Sequence, residues 1–283
     1  MSPSEFDSLI SLLDDTDESV FVAVQNRLRD GGLDIVPYLE KVWQTSDNSR
    51  VVRILEHLIH DIRIGSITDD LLKWKKNGAK DLFTGVAIYN RLLFPNVETE
   101  TLKARIASIC KPIWTELNNN LTALEKVRII NHFLFDVNKF MAVDDLTTQS
   151  HFVGTLLNTG KAQANMVSVL YAIVAQQLGL PVRCVAHPNA LTLCYMDENK
   201  SGEFCNNVMF YIDVASRGMA YGASEITDYL RGNNIDPDDS YFAPCNNLDV
   251  IIYLISSLAQ CFKRLKDTRL NDCKQIINSL TQK

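Results

Sequence analysis

Five histidines and seven cysteines are the groups in this chain that could attack a carbonyl or move a proton near neutral pH. His57 and His60, in Glu56-His57-Leu58-Ile59-His60-Asp61, share a helix face at i, i+3, a spacing that two zinc ligands can use. Two imidazoles without further ligands do not make a metal site, and a solvated helix face accounts for them. His132 reads as a hydrogen-bonded core histidine. Cys184 and Cys194 fall on strand-like runs, where a buried thiol stays protonated and behaves as a small hydrophobe. His187 stands three residues before Ala190, and odd spacing along a single strand would turn the two side chains to opposite faces. The seven cysteines, Cys110, Cys184, Cys194, Cys205, Cys245, Cys261 and Cys273, include no Cys-x-x-Cys pair and read as reduced thiols in a reducing compartment. No glycine-rich phosphate loop, serine nucleophile elbow or His-Glu-x-x-His run is present, so no metal and no cofactor is expected.

Composition narrows the partners. The net charge is -6 over 283 residues, and no dense Lys/Arg cluster offers a phosphate-binding face, which argues against nucleic acid. Lys73-Trp74-Lys75-Lys76 reads as a solvated helix end. With 46% hydrophobic residues the chain can bury a sizeable core, yet no apolar run approaches the roughly 20 residues that span a bilayer. The start, Met1-Ser2-Pro3-Ser4-Glu5, lacks a basic and then apolar leader, so a cytoplasmic protein without membrane contact is expected.

The elements that must position any chemistry follow from periodicity. Residues 17–28 and 47–58 form a weak repeat, each copy opening with an Asp cap and continuing with a helical stripe: Val20, Val24, Leu28 in one, Val51, Leu55, Leu58 in the other. Helices are predicted over 81–94, 99–117 with a break near Pro112, and 123–135. Ala164 to Leu178 predicts the most buried helix, with Gly179 as its left-handed cap and Pro181 preventing continuation. Strands are predicted at 182–186, 190–196 and 207–213, a polar hairpin loop at 197–202, a short helix capped by Ser224, and two helices between Asn247 and Leu280 broken near Lys266-Asp267.

Three stretches, Asn131-His132-Phe133-Leu134-Phe135, Ser168 through Leu178-Gly179-Leu180-Pro181-Val182, and Tyr211-Ile212-Asp213, resemble in order and spacing the SirB-type branch of the transglutaminase-like superfamily over roughly residues 80–280. The resemblance implies an α+β fold with a papain/transglutaminase-like core, a buried central helix against an antiparallel sheet, and helical N- and C-terminal additions. With the repeat at 17–58, which resembles a pair of HEAT-like helical units, three units are expected: 1–78, helical and HEAT-like; 79–245, the core with its leading helices; 246–283, a helix pair that packs as an antiparallel hairpin on the core or as a single TPR-like unit. In the wider superfamily a cysteine opens the central helix, where the dipole favours its thiolate, and a strand histidine and aspartate complete the triad, whereas the SirB-type branch itself commonly lacks that cysteine. Carried onto this chain, the cysteine position falls on Ala164. His187-Pro188-Asn189-Ala190-Leu191, set against the Phe-Pro-Gly-His-Phe type of segment, puts the histidine position on Ala190, while Asp213 matches the aspartate.

Alanine methyls neither attack nor transfer protons, so the expectation is a non-catalytic protein that binds a protein or small ligand. Gln163, Asn165, Asn189, Thr192 and Asp213 are the candidate cleft residues, and the helical N-terminal unit is a candidate partner surface. Asp213 also has a purely structural reading, as a carboxylate capping nearby backbone. Two other readings stand beside this one: a cysteine-dependent hydrolase or acyl transferase with displaced residues, and a scaffold without a ligand pocket.

Overall fold

Local chemistry sets where the first helices begin. In the computed structural model, which describes residues 2–144, 147–188, 190–197 and 207–282, the chain divides into two compact units, residues 1–72 and 73–283. The first unit carries α1 (Pro3–Ser11), α2 (Glu18–Arg29), α3 (Val36–Thr45) and the start of α4 (Ser49–Lys76). Ser2 and Glu5 form a reciprocal capping box on α1, and the Asp17 carboxylate accepts the Ser19 and Val20 amides at the start of α2. In the second repeat copy the cap is Asn48, whose Oδ1 accepts the Arg50 amide at 2.9 Å, rather than the expected Asp47. The predicted stripes point inward: Val24, Leu28, Leu55 and Leu58 are buried together with Leu13 and Leu39. Surface pairs such as Arg27 with Glu5 at 2.6 Å add little beside this apolar core.

The second unit opens with α5 (Leu82–Asn90), α6 (Thr99–Glu116) and α7 (Ala123–Asn131). Pro112 is accommodated inside α6, and α7 runs into a π-helical turn over His132–Val137. Then come β1 (Met141–Ala142), α8 (Val153–Thr159), β2 (Lys161–Ala162) and the central α9 (Ala164–Gln177). The main sheet consists of β3 (Val182–Ala186), β4 (Leu191–Met196), β5 (Val208–Asp213) and β6 (Met219–Tyr221), each antiparallel to the next. After it lie α10 (Ala223–Gly232), α11 (Asn247–Leu265) and α12 (Leu270–Thr281). The expected cap Ser224 instead lies inside α10, whose N-cap is Gly222.

Strand alternation assigns the two faces of the sheet. Val185, Cys194 and Tyr211 pack with Ile226 and Leu230 of α10. Leu193 and Ile212, paired across β4 and β5, therefore look the other way, towards α9, which packs on β3 and β4. Ten consecutive residues of α9, Met166 to Ala175, are buried, so this helix is apolar all round, as a helix enclosed by sheet and helices must be.

Polar ties hold the layers in register. Asn131 accepts the Tyr171 hydroxyl of α9 at 3.1 Å and donates to the Gly218 carbonyl in the β5–β6 turn at 2.8 Å. Gly218 is required twice over: its φ is +79°, and a Cβ there would stand 2.0 Å from Asn131 Oδ1. Lys75 is not simply solvated, because its ammonium caps the last carbonyls of α12 at Leu280 and Gln282, both at 2.8 Å. The C-terminal helices fall in the same compact unit as the sheet, and the apolar face of α11, including Ile251, Leu254 and Leu258, is buried.

Candidate functional site

A cleft of about 1370 Å³ opens at the N-terminal end of α9, within the second unit. One wall is the first turn of α9 with Gln163, Ala164 and Asn165, another is the β3–β4 turn with His187 and Ala190, and a third is one face of α11. The sequence places Ala164 here by local means. Gly160, at φ +75°, ends α8 in the left-handed conformation, β2 pairs with β1, and the Gln163 amide donates to the Ser150 carbonyl at 3.1 Å before the chain turns into the helix.

Ala164 and Ala190 stand half-buried on the same cleft, and their neighbours tie them together. Asn165 Oδ1 accepts the Leu191 amide at 2.9 Å, and the Ser168 hydroxyl donates to the Leu191 carbonyl at 2.7 Å. The helix start and the beginning of β4 thus form one hydrogen-bonded corner. Gln163 reaches His151, amide nitrogen to Nε2, at 3.1 Å, so His151, buried and on the cleft wall, joins the site without any signal in the sequence pattern.

The structure reverses the expectation for His187. The argument from odd spacing assumes one continuous strand, whereas β3 ends at Ala186 and the chain turns before β4. The His187 amide donates to the Ala190 carbonyl at 2.8 Å, continuing the Ala186–Leu191 pairing, so the two residues oppose each other across a hairpin and both line the cleft. The His187 ring is 3% exposed. Its Nε2 lies 3.0 Å from the Thr192 hydroxyl, and its Nδ1 has no hydrogen-bond partner among the described residues. Burial pushes its pKa down to about 4, so the ring is neutral at pH 7.

Of the candidate cleft residues, Gln163 and Asn165 are on the wall, while Asn189 lies outside the described residues. Thr192 turns its hydroxyl to His187 and stands off the wall. Asp213 also stands off it. Its two carboxylate oxygens accept the Ala215 amide at 2.9 Å and the Ser216 hydroxyl at 2.6 Å, so the carboxylate caps its own turn in the structural role anticipated for it. His132 is exposed and paired with Asp136 at 3.3 Å, not a core residue, because it lies off the helix face that buries Val127, Ile130 and Leu134.

Burial shapes the chemistry of the thiols near the sheet and the cleft. The six described cysteines are free, and Cys205 lies outside the described residues. Cys245 lines the cleft, far in sequence from the start of α9, but burial pushes its thiol up to about 11. Burial likewise pushes Cys194 up to about 12 and Cys184 well above the ordinary thiol range. Among the described residues no group of three potential metal ligands occurs, and no helix is long and apolar enough to cross a membrane.

Comparison with known proteins adds the lineage. No curated protein and no solved structure matches the chain. The family model described as the transglutaminase-like superfamily matches residues 100–255, which run from α6 through the sheet into α11 and make up more than half of the sequence. With that match, and with the enclosed central helix and antiparallel sheet that bear it, this chain belongs to the transglutaminase-like superfamily.

Proposed function

We propose that the protein is a pseudoenzyme of the SirB-type branch that acts by binding a protein or small ligand in the cleft at the start of α9. One observation carries this reading: Ala164 and Ala190, on which the triad's nucleophile and base positions fall, present methyl groups to a cleft that is still about 1370 Å³ in volume. Loss of chemistry has not been accompanied by filling of the space, which favours binding over a closed scaffold. The exposed aromatic residues of the first unit, Tyr38 and Trp43, support a HEAT-like partner surface there. The free thiols support a reducing, cytoplasmic setting.

A second reading is a displaced cysteine hydrolase built on Cys245 and His187, since both line the cleft. A thiolate–imidazolium pair needs a low thiol pKa and a high imidazole pKa, and burial drives both groups the other way. The test is turnover of glutaminyl peptides, amides and thioesters by the purified chain, before and after iodoacetamide, with the labelling rate of Cys245 followed by mass spectrometry. The proposal expects no turnover and labelling slower than that of free cysteine. Turnover that disappears on thiol blocking would overturn it.

A further inference from the structure

The face that α11 turns to the cleft is polar and graded in charge. Asp249, Tyr253, Ser256, Gln260 and Lys263 recur at three- and four-residue spacing, so they line one stripe opposite the buried apolar face of the helix. Asp249 lies in the first turn, and Lys263 and Arg264 in the last. Fourteen residues separate the two ends, about 21 Å at the rise of an α-helix. An extended peptide advances about 3.3 Å per residue, so about six residues cover that length.

Size and lining favour such an occupant. A volume of about 1370 Å³ is above the ~300–1,000 Å³ range of small-molecule sites. Five single methyls, from Ala142, Ala164, Ala186, Ala190 and Ala215, stand on the wall beside bulkier groups such as Val143 and Tyr241, and leave room for a backbone to approach. Ser256, Ser257 and Gln260 offer both donors and acceptors, as the alternating amides and carbonyls of an extended chain require. The buried His187 Nδ1 is a further polar atom still without a partner among the described residues. Asp144 is the other fully charged residue on the described wall besides Asp249, Lys263 and Arg264. Two adjacent cations suit one or two carboxylates and are too few for a nucleic-acid backbone.

We infer that the cleft holds an extended peptide segment of another protein, with acidic residues at the Lys263–Arg264 end and a basic group at the Asp249 end. This deepens the binding reading and rests on it. Gln260, Lys263 and Arg264 lie beyond the residues matched by the superfamily model, so the preference for an acidic segment comes from this chain's own C-terminal addition.

The test titrates the full chain by calorimetry, at low salt, with the synthetic peptide Lys-Ser-Ala-Gln-Ala-Ser-Glu-Glu and with a version in which Gln replaces every charged residue. Exposed ion pairs of this kind predict about fivefold tighter binding of the charged peptide, falling as salt is added. Lys263→Glu with Arg264→Glu is expected to remove that preference and to favour a peptide ending in Lys-Lys, a reversal that a merely structural role for the two residues would not produce. Ala190→Trp, which sets an indole across the cleft beside the start of α9, is expected to weaken binding of both peptides. Equal affinity for charged and neutral peptides overturns the inference while leaving the cleft a peptide site. Binding of neither peptide, or binding that Ala190→Trp leaves unweakened, also overturns it. Failure of the non-catalytic reading is detected separately, by thiol-sensitive turnover.

Discussion

The buried imidazole of His187 makes folding stability depend on pH in a predictable direction. In the unfolded chain the ring titrates near 6.5, whereas in the folded protein burial lowers the value to about 4. The unfolded state therefore binds the extra proton first, and the contribution is fully present above about pH 6.5 and lost progressively as pH falls towards 4. Between pH 7.5 and pH 5 the linkage amounts to about 2 kcal/mol. Carboxylates titrate in the same range, so the wild-type slope alone is uninformative. His187→Gln removes the titrating ring while keeping a polar group that can reach Thr192. Urea unfolding of both proteins at pH 7.5, 6.5, 5.5 and 5, followed by tryptophan fluorescence, should show the variant converging on or overtaking wild type as pH falls. Parallel pH curves would refute the reasoning, as would a His187 ring resonance titrating near 6.5.

Two further perturbations test the packing around the site. Gly218→Ala forces a Cβ to within 2.0 Å of Asn131 Oδ1 at a φ of +79°, so it should cost about 2–4 kcal/mol and lower the unfolding midpoint, with an unchanged midpoint as the contrary result. Asp213→Ala removes the acceptor of the Ala215 amide and the Ser216 hydroxyl and should cost about 1–2 kcal/mol in thermal or urea melts, while leaving peptide affinity in the calorimetric titration unchanged, because the carboxylate stands off the cleft wall.

Much of the second unit was legible in the sequence because its signals are local. The run from Ala164, with its apolar residues and its Gly179–Pro181 stop, sets a helix of the length found, and the strands begin and end within a residue or so of the apolar runs that announce them. The same holds for the two C-terminal helices, which break where Lys266 adopts a left-handed conformation. Backbone hydrogen bonding and strand or helix period act over a few residues, so neighbouring residue types suffice to read them.

What the residues of the cleft do was settled by contacts between distant segments. Odd spacing from His187 to Ala190 pointed to opposite faces, and only the hairpin reversal after Ala186 sets the two against each other. Thr192 and Asp213 sit at plausible strand positions, yet both stand off the cleft wall, Thr192 hydrogen-bonded to the His187 ring and Asp213 to the turn after β5. Cys245 and the polar stripe of α11 reach the start of α9 across 80 or more residues of chain. Periodicity says which face of a helix or strand is apolar; which segment that face meets, and which polar face is left bordering a cleft, is decided by the packing of the whole unit.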